Sequence, residues 1–352
     1  MVVLCSPMLS SKIPKEKEHD FSPNDRDAIA LMLQNSPMST IAYPKISVVT
    51  PSFNQGRFLE ETILSVLEQN YPNLEYMIID GGSTDGSVDI IRKYANRLEY
   101  WVSEPDRGQS HAINKGFARA TGDIFCWLNS DDYFEPGALE FVGRYFHNHP
   151  ECQWLVGQCR ILDTDSNTTR LFVARYDGRD NLLRFWEAWE GGTMLPQPSS
   201  FWHRDLVNVR LLNEDLHYAL DYELWLRLNE KYEPAIVPEV LAIYRFHNTA
   251  KTVTLSKNFL PEQLAVARPY WHARGIRFTL HCELDWRRIR AKKLFQKAFQ
   301  LKHSGHRSEA WELLKEAVIL YPPCIFQWKV LNLCTRLGFG YSIKKQFKID
   351  TK

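Results

Sequence analysis

The 352-residue sequence has no C-x-x-C pair among its seven cysteines. Neither a disulfide framework nor a cysteine-built zinc site is expected, and a reducing compartment is the simplest setting. No stretch reaches the roughly 18 apolar residues needed to cross a bilayer. The nearest, residues 317–328, is short and interrupted by Pro322 and Pro323. The first residues hold no basic segment leading into an apolar core, so export is not expected and a cytoplasmic location is. With 17 glycines and 18 prolines, neither residue is in excess, which excludes a fibrous or broadly disordered chain. Net charge of one sign is lacking too, at +1 over the whole chain, and no nucleic-acid partner is expected.

What is present is an ordinary globular composition, 44% hydrophobic and 24% charged, with the charge unevenly placed. Residues 289–352 hold 13 Lys/Arg against 4 Asp/Glu, a surplus of nine. The first 288 residues therefore carry about −8 by difference. A basic tail on an acidic body suits an anionic membrane surface or an acidic protein partner. Solvated faces of ordinary helices explain it equally, and both readings stay open. A peripheral position at the inner face of the membrane follows only from the first.

Residues 1–44 show little periodicity and are expected to form a poorly ordered arm, with a short helix near 28–33. Strand and helix patterns then alternate. Apolar runs at 46–50, 76–79, 98–102 and 124–128 read as strands, and amphipathic spacing such as Leu59, Ile63, Val66, Leu67 reads as the helices between them. This β-α order predicts an α/β fold with a doubly wound, mainly parallel sheet. Strands at 154–162, 199–203 and 236–244 and helices at 181–189 and 218–232 complete the expected domain, 45–258. Its nucleotide-binding half runs to about 150 and its acceptor half follows. A C-terminal helical extension, 259–352, includes Ala298, Leu301, Gly305, Ala310, Leu314, Ala317 and Pro322, which resemble one tetratricopeptide-type hairpin, an unrelated helical cap being the alternative.

In open parallel sheets ligands collect beyond the carboxyl ends of the strands. Polar residues fall at those ends here: Ser52 and Asn54, then Asp80, then Asn129-Ser130-Asp131-Asp132. Adjacent carboxylates repel, and a hard divalent cation relieves that repulsion through oxygen ligation. An Asp-rich turn bonded to its own backbone is the plain alternative. In Asp80-Gly-Gly-Ser-Thr-Asp-Gly86 the glycines permit close backbone approach to a ligand, while Asp85 is either a ligand group or a helix cap.

Four segments carry a family resemblance: Val48-Val-Thr-Pro-Ser-Phe-Asn54, Asp80-Gly-Gly-Ser-Thr-Asp-Gly-Ser87, Asn114-Lys-Gly116 and Asn129-Ser-Asp-Asp132. In order and spacing they resemble family 2 glycosyltransferases, which have the GT-A fold and invert the anomeric carbon. The resemblance covers about 46 to 252. It implies that Pro51, Ser52, Phe53, Asn54, Asp80, Ser83, Asn114, Lys115, Ser130 and Asp131 serve the nucleotide. Asp131 matches the metal-binding carboxylate of the family's D-x-D motif with Asp132 beside it, while Asn129 stands where that motif has its first acid. Tyr244-Arg-Phe-His247 resembles a late motif that brings a basic residue to the diphosphate, making His247 a candidate metal ligand. Asp221-Tyr-Glu-Leu-Trp-Leu-Arg227 is similar to the second acidic motif, with Asp221 the expected base and Glu223 the second candidate. Trp202 and Trp225 fall in the acceptor half, where sugar rings stack on aromatic faces.

The resemblance thus implies an inverting, Mg²⁺- or Mn²⁺-dependent transfer from a UDP- or dTDP-sugar to a saccharide or lipid-linked acceptor in glycan or polysaccharide biosynthesis. Two other readings are kept: a catalytically silent nucleotide-sugar binder acting through its helical tail, and a nucleotidyltransferase. The second lacks a Gly-rich, basic phosphate loop after the first strand.

Overall fold

In the computed structural model the described residues are 43–190, 192–208 and 211–323. The helix expected near 28–33, nearly all of the expected arm and the tail beyond 323 lie outside them. The chain divides into one compact unit ending at Val266 and a second from Ala267.

The first unit is built on strands β1 (Ile46–Ser52), β2 (Leu74–Asp80), β3 (Tyr100–Ser103), β4 (Ile124–Trp127), β5 (Tyr133–Phe134), β6 (Trp154–Asp163), β7 (Thr168–Phe172), β8 (Ser200–His203) and β9 (Ala235–Phe246). They form one sheet in the order β3-β2-β1-β4-β8-β6-β9-β5, with β7 beside β6. The β3-β2-β1-β4 half is parallel. Beyond it β8 runs antiparallel to both β4 and β6, and β9 pairs parallel to β6. The sheet is therefore parallel where the expected nucleotide half lies and mixed in the other.

All seven residues of β1 are buried, so both sheet faces are covered. On one face Ile46 and Val48 join a core with Leu59, Ile63 and Val66 of α1 (Gly56–Leu67) and with Ile91 of α2 (Ser87–Tyr94). On the other, α3 (Gln109–Phe117) lies so close that a Cβ on Gly116 would stand 2.5 Å from Val49 Cγ1. Only glycine allows that approach. Helix α4 (Ala138–Asn148) adds Leu139, Val142 and Phe146 to the core. Then follow α5 (Leu220–Leu228) and α6 (Phe259–Ala273). The helix expected over 181–189 is instead two short turns, at Arg179–Leu182 and Phe185–Glu190.

The second unit contains α7 (Ile276–His303) and α8 (Arg307–Leu320), a hairpin turning at Gly305 with φ 89°. Ala298 of α7 packs with Ala310, Leu314 and Val318 of α8. Among the described residues no helix is long and apolar enough to cross a membrane.

At the amino ends of β1 and β2, buried Glu75 accepts from Ser47 Oγ (2.5 Å), Thr121 N (2.7 Å) and Thr121 Oγ1 (2.6 Å), with Lys45 Nζ at 2.6 Å. Burial pushes its pKa up, but Lys45, Ser47 and Thr121 together outweigh it and bring the carboxyl down to about 2. The folded value lies below the unfolded one of about 4.3, so the stabilisation is present above pH ~4.3 and lost as pH falls toward 2. Glu75→Gln is expected to lower the melting midpoint at pH 7 by on the order of 5 °C. The deficit should shrink on acidification from pH 5 to pH 2, read by thermal melts across that range.

Candidate active site

The parallel register sets the carboxyl ends of three strands side by side, with Ser52 opposite Asp80 and Asp80 opposite Ser103. Asp80 is fully buried. Its Oδ2 accepts from Gly82 N (3.1 Å), Ser83 N (2.9 Å) and Ser103 Oγ (2.7 Å), and Oδ1 from Ser83 Oγ (2.6 Å). Asp80 thus orders the loop that was expected to use it for ligand contact, because a carboxylate at a buried strand end must satisfy its own lone pairs. Asn54, at φ 51°, stitches the neighbouring loop to this one: its N donates to Ser83 Oγ (2.7 Å) and its Oδ1 accepts from Thr84 N (2.9 Å). Asp85 accepts from Gly56 N and from Ser87 N and Oγ, joining the starts of α1 and α2 as a cap.

What these loops leave for a ligand is specific. The Phe53 ring is 61% exposed, whereas Pro51 is buried within β1. A Cβ on Gly81 would lie 3.2 Å from Phe53 Cδ2 and 2.8 Å from Asp106 Oδ2, so bare backbone floors the space between ring and carboxylate. Ser52 Oγ is buried without a hydrogen-bond partner among the described residues. An unmet hydroxyl of this kind costs about 1–3 kcal/mol.

The turn Asn129–Asp132 closes on itself through Asp132 N and Asn129 O (3.0 Å). Thr62 Oγ1 of α1 reaches the carbonyls of Ser130 (2.9 Å) and Asp132 (2.7 Å) from beneath. Asp132, expected beside Asp131 at a metal, is turned into the protein. It is fully buried, Oδ1 accepts from Arg245 N (3.1 Å) and Oδ2 from Asn129 Nδ2 (3.2 Å). Burial, then the neighbouring Asp131 charge, raises its pKa well above the carboxylate range. Ser130 is buried as well, on the inner side of the turn.

Asp131 remains at the surface of this arrangement, its side chain 20% exposed, with Oδ2 3.2 Å from Nε2 of buried His247. His247 Nδ1 meets Thr249 Oγ1 at 2.8 Å, which leaves Nε2 for Asp131 or a ligand. An oxygen and a nitrogen about 3 Å apart are spaced as neighbouring ligands of one cation with bonds near 2.1 Å. Asp131 and His247 fit a divalent ion. Among the described residues no third His, Cys, Asp or Glu joins them, so further ligands must come from substrate or water.

Asn129, the departure from the acidic motif, is held on both sides. Its Oδ1 accepts from Gln109 Nε2 (2.7 Å), and its Nδ2 donates to Asp132 and to Gln197 Oε1 (3.1 Å). Two oxygens, Asp132 Oδ2 and Gln197 Oε1, thus receive that amide.

Asn114 and Lys115, expected at the nucleotide, make contacts within the protein. Asn114 Nδ2 donates to Leu212 O and Glu214 Oε1, its Oδ1 accepts from Leu212 N, and Lys115 pairs with Glu104 at 2.8 Å. Ser110 Oγ donates to Leu216 O (2.9 Å), and Gly108 has no room for a Cβ beyond 3.3 Å from the His217 ring. The segment leading to α5 is thereby laid against the start of α3.

Asp221, half-buried, opens α5, while buried Glu223 is gripped by Arg227 of the same helix at 3.1 and 3.2 Å. Of the two candidate bases Glu223 is therefore committed to an ion pair. Trp202 and Trp225 are likewise withdrawn. Each stands edge-on to Trp127, at 5.3 and 6.3 Å between ring centres, and both are buried. No acceptor reaches them, because aromatic area of this size is stabilised most by burial.

Comparison with known proteins agrees with the geometry. The sequence profile described as glycosyl transferase family 2 matches residues 47–190. An uncharacterized glycosyltransferase of Mycobacterium tuberculosis (strain CDC 1551 / Oshkosh) is 42% identical over 204 residues, 56% of this chain and 74% of that protein. The chain belongs to the family 2 glycosyltransferases. Another relative, from Rickettsia typhi (strain ATCC VR-144 / Wilmington), is 26% identical over 63% of this chain and 70% of its own. Among solved structures, S. aureus TarS 1–349 in complex with UDP-GlcNAc superposes with a TM-score of 0.54 at 14% identity, covering 86% of this chain and 91% of that one. The fold of this family 2 glycosyltransferase is GT-A.

Further residues, with no role expected from the sequence, hold these segments in place. Asp106, which accepts from Gly108 N (2.7 Å), follows β3 and was open to the same strand-end logic. Arg245 belongs to the Tyr244–His247 segment, and its guanidinium, buried over the Tyr133 ring at 4.4 Å, donates to Asp131 O (3.2 Å) and pairs with Glu61. Glu262 of α6 accepts from His217 N (2.9 Å), Tyr218 N (2.5 Å) and Ala219 N (2.5 Å), capping the approach to Asp221 from more than forty residues away. Lys251 donates to His217 O and sits 5.1 Å above the Tyr218 ring. Burial lowers its pKa, against the opposing pull of Glu262 and Asp221. Glu262→Ala is expected to destabilise by on the order of 2 kcal/mol. It should cut turnover about tenfold or more while nucleotide affinity stays within a factor of two, measured by denaturation, steady-state kinetics and titration.

Proposed function

We propose that this glycosyltransferase inverts the anomeric carbon of a UDP- or dTDP-sugar, with Asp221 as base and a divalent cation held by Asp131 and His247. The observation that carries the reading is the meeting of Asp131 Oδ2 and His247 Nε2, 116 residues apart in sequence, at 3.2 Å. The base and ribose lie between exposed Phe53, the Gly81 backbone and Asp106. The solved TarS complex with UDP-GlcNAc shows that a nucleotide sugar is accommodated by a protein of this fold. The cation, Mg²⁺ or Mn²⁺, supplies charge neutralisation for the departing diphosphate.

Asp221 takes the proton of the acceptor hydroxyl as that oxygen bonds to the anomeric carbon. The bond from that carbon to the nucleoside diphosphate breaks on the opposite face, which inverts the configuration. Lys251 lies close enough to Asp221 for their charges to attract. The acceptor is a saccharide or lipid-linked saccharide in glycan biosynthesis, bound on the Asp221 side and not on Trp202 or Trp225.

Asp221→Asn is expected to lower transfer, or donor hydrolysis by water, by about three orders of magnitude with nucleotide binding intact. Asp131→Asn should weaken metal-dependent nucleotide binding as well as turnover. A panel of UDP-, dTDP- and GDP-sugars assayed for diphosphate release identifies the donor. Full activity in both variants overturns the site.

A further inference from the structure

The second unit carries a surface feature that the transfer chemistry does not use. Helix α7 buries Thr279, Cys282, Trp286 and Ile289 on one side of its first half. The other side leaves Ile276, Leu280 and Leu284 exposed by 72%, 55% and 58%. Spaced by four, these three stand one turn apart in a single line. Exposed aliphatics are ordinary singly, and an aligned set on one helix is not.

The charges beside this line are mixed, and the basic surplus builds along the rest of the helix. Arg277 and His281 flank it, and Arg287 and Arg288 follow within the next turn. Glu283 and Asp285 are the only acids of α7, against eight Lys or Arg. Both acids are already engaged, Glu283 by Arg268 (2.7 Å) and Arg287 (3.4 Å), and Asp285 by Arg288 (2.6 Å). The sequence from 324 to 352 continues the surplus.

We propose that the first half of α7 lies in the plane of an anionic lipid surface, with Ile276, Leu280 and Leu284 among the acyl chains and the neighbouring arginines on the headgroups. Two features favour this occupant. A second copy would bring two strongly basic helices face to face, where like charges repel. A ridge on one convex helix needs a surface that yields around it, and a bilayer does so while taking up apolar area and attracting each arginine.

The full-length chain is sedimented with vesicles of phosphatidylcholine alone and of equal parts phosphatidylcholine and phosphatidylglycerol. The expected result is binding to the anionic vesicles only, reduced by added salt. Ile276→Ser/Leu280→Ser/Leu284→Ser should lower that partition by about tenfold or more with the melting midpoint unchanged. Leu280→Asp alone serves as a second probe should the triple variant unfold. Failure of the native chain to bind anionic vesicles, equal binding to both vesicle types, or unchanged partition of the variants overturns the proposal. So does a native dimer, seen by light scattering, that the triple variant dissociates, since the ridge then belongs to a second copy.

Discussion

The hydrogen bond between the buried Asp132 carboxyl and Arg245 N joins residues 113 apart in sequence, and the rest of the site depends on it. It ties the turn after β4 to the end of β9, beside the short antiparallel pair of β5 with β9. With Asp132 drawn inward, Asp131 is left pointing outward, and the same stretch of β9 delivers His247 to it. Arg245 secures the turn twice more, through Asp131 O and through its stack on Tyr133. Of two adjacent acids, one is spent on building the turn so that the other is presented with a fixed direction. Asn129 completes the arrangement by donating to both Asp132 and Gln197.

A similar division runs through the nucleotide side. Asp80 and Asn54 hold loops in place, and the surface left for a ligand is made of an exposed ring and bare backbone. Polar residues at strand ends thus fall into those that shape the cleft and those that face it. Preorganisation of this kind places charge where it develops during reaction without reordering at that moment.

The first four strands were legible because each is a short apolar run ended by a polar or turn-forming residue (Pro51, Asp80, Ser103, Asn129), and parallel order follows from the helices between them. The insertion of β8 between β4 and β6 was not, since four residues carry no pairing information and sheet order is settled by distant contacts. Asp131 could be found from its position after β4. The inward turn of Asp132 could not, because adjacent acids look alike until burial distinguishes them. Trp202 and Trp225 were ambiguous for the same reason, an indole serving a core and a sugar platform equally well. Glu262 was invisible: it caps a segment 43 to 45 residues upstream, and no local pattern announces such a partner.

The central claim is that a turn pinned by Asp132 presents Asp131, with His247, to a cation bound together with a nucleoside diphosphate. Calorimetric titration of UDP into the native chain, first with Mn²⁺ and then with EDTA, tests it most directly. The account predicts saturable binding that weakens at least about tenfold on chelation. Equal affinity in Mn²⁺ and EDTA would contradict the paired metal site while leaving the nucleotide cleft standing.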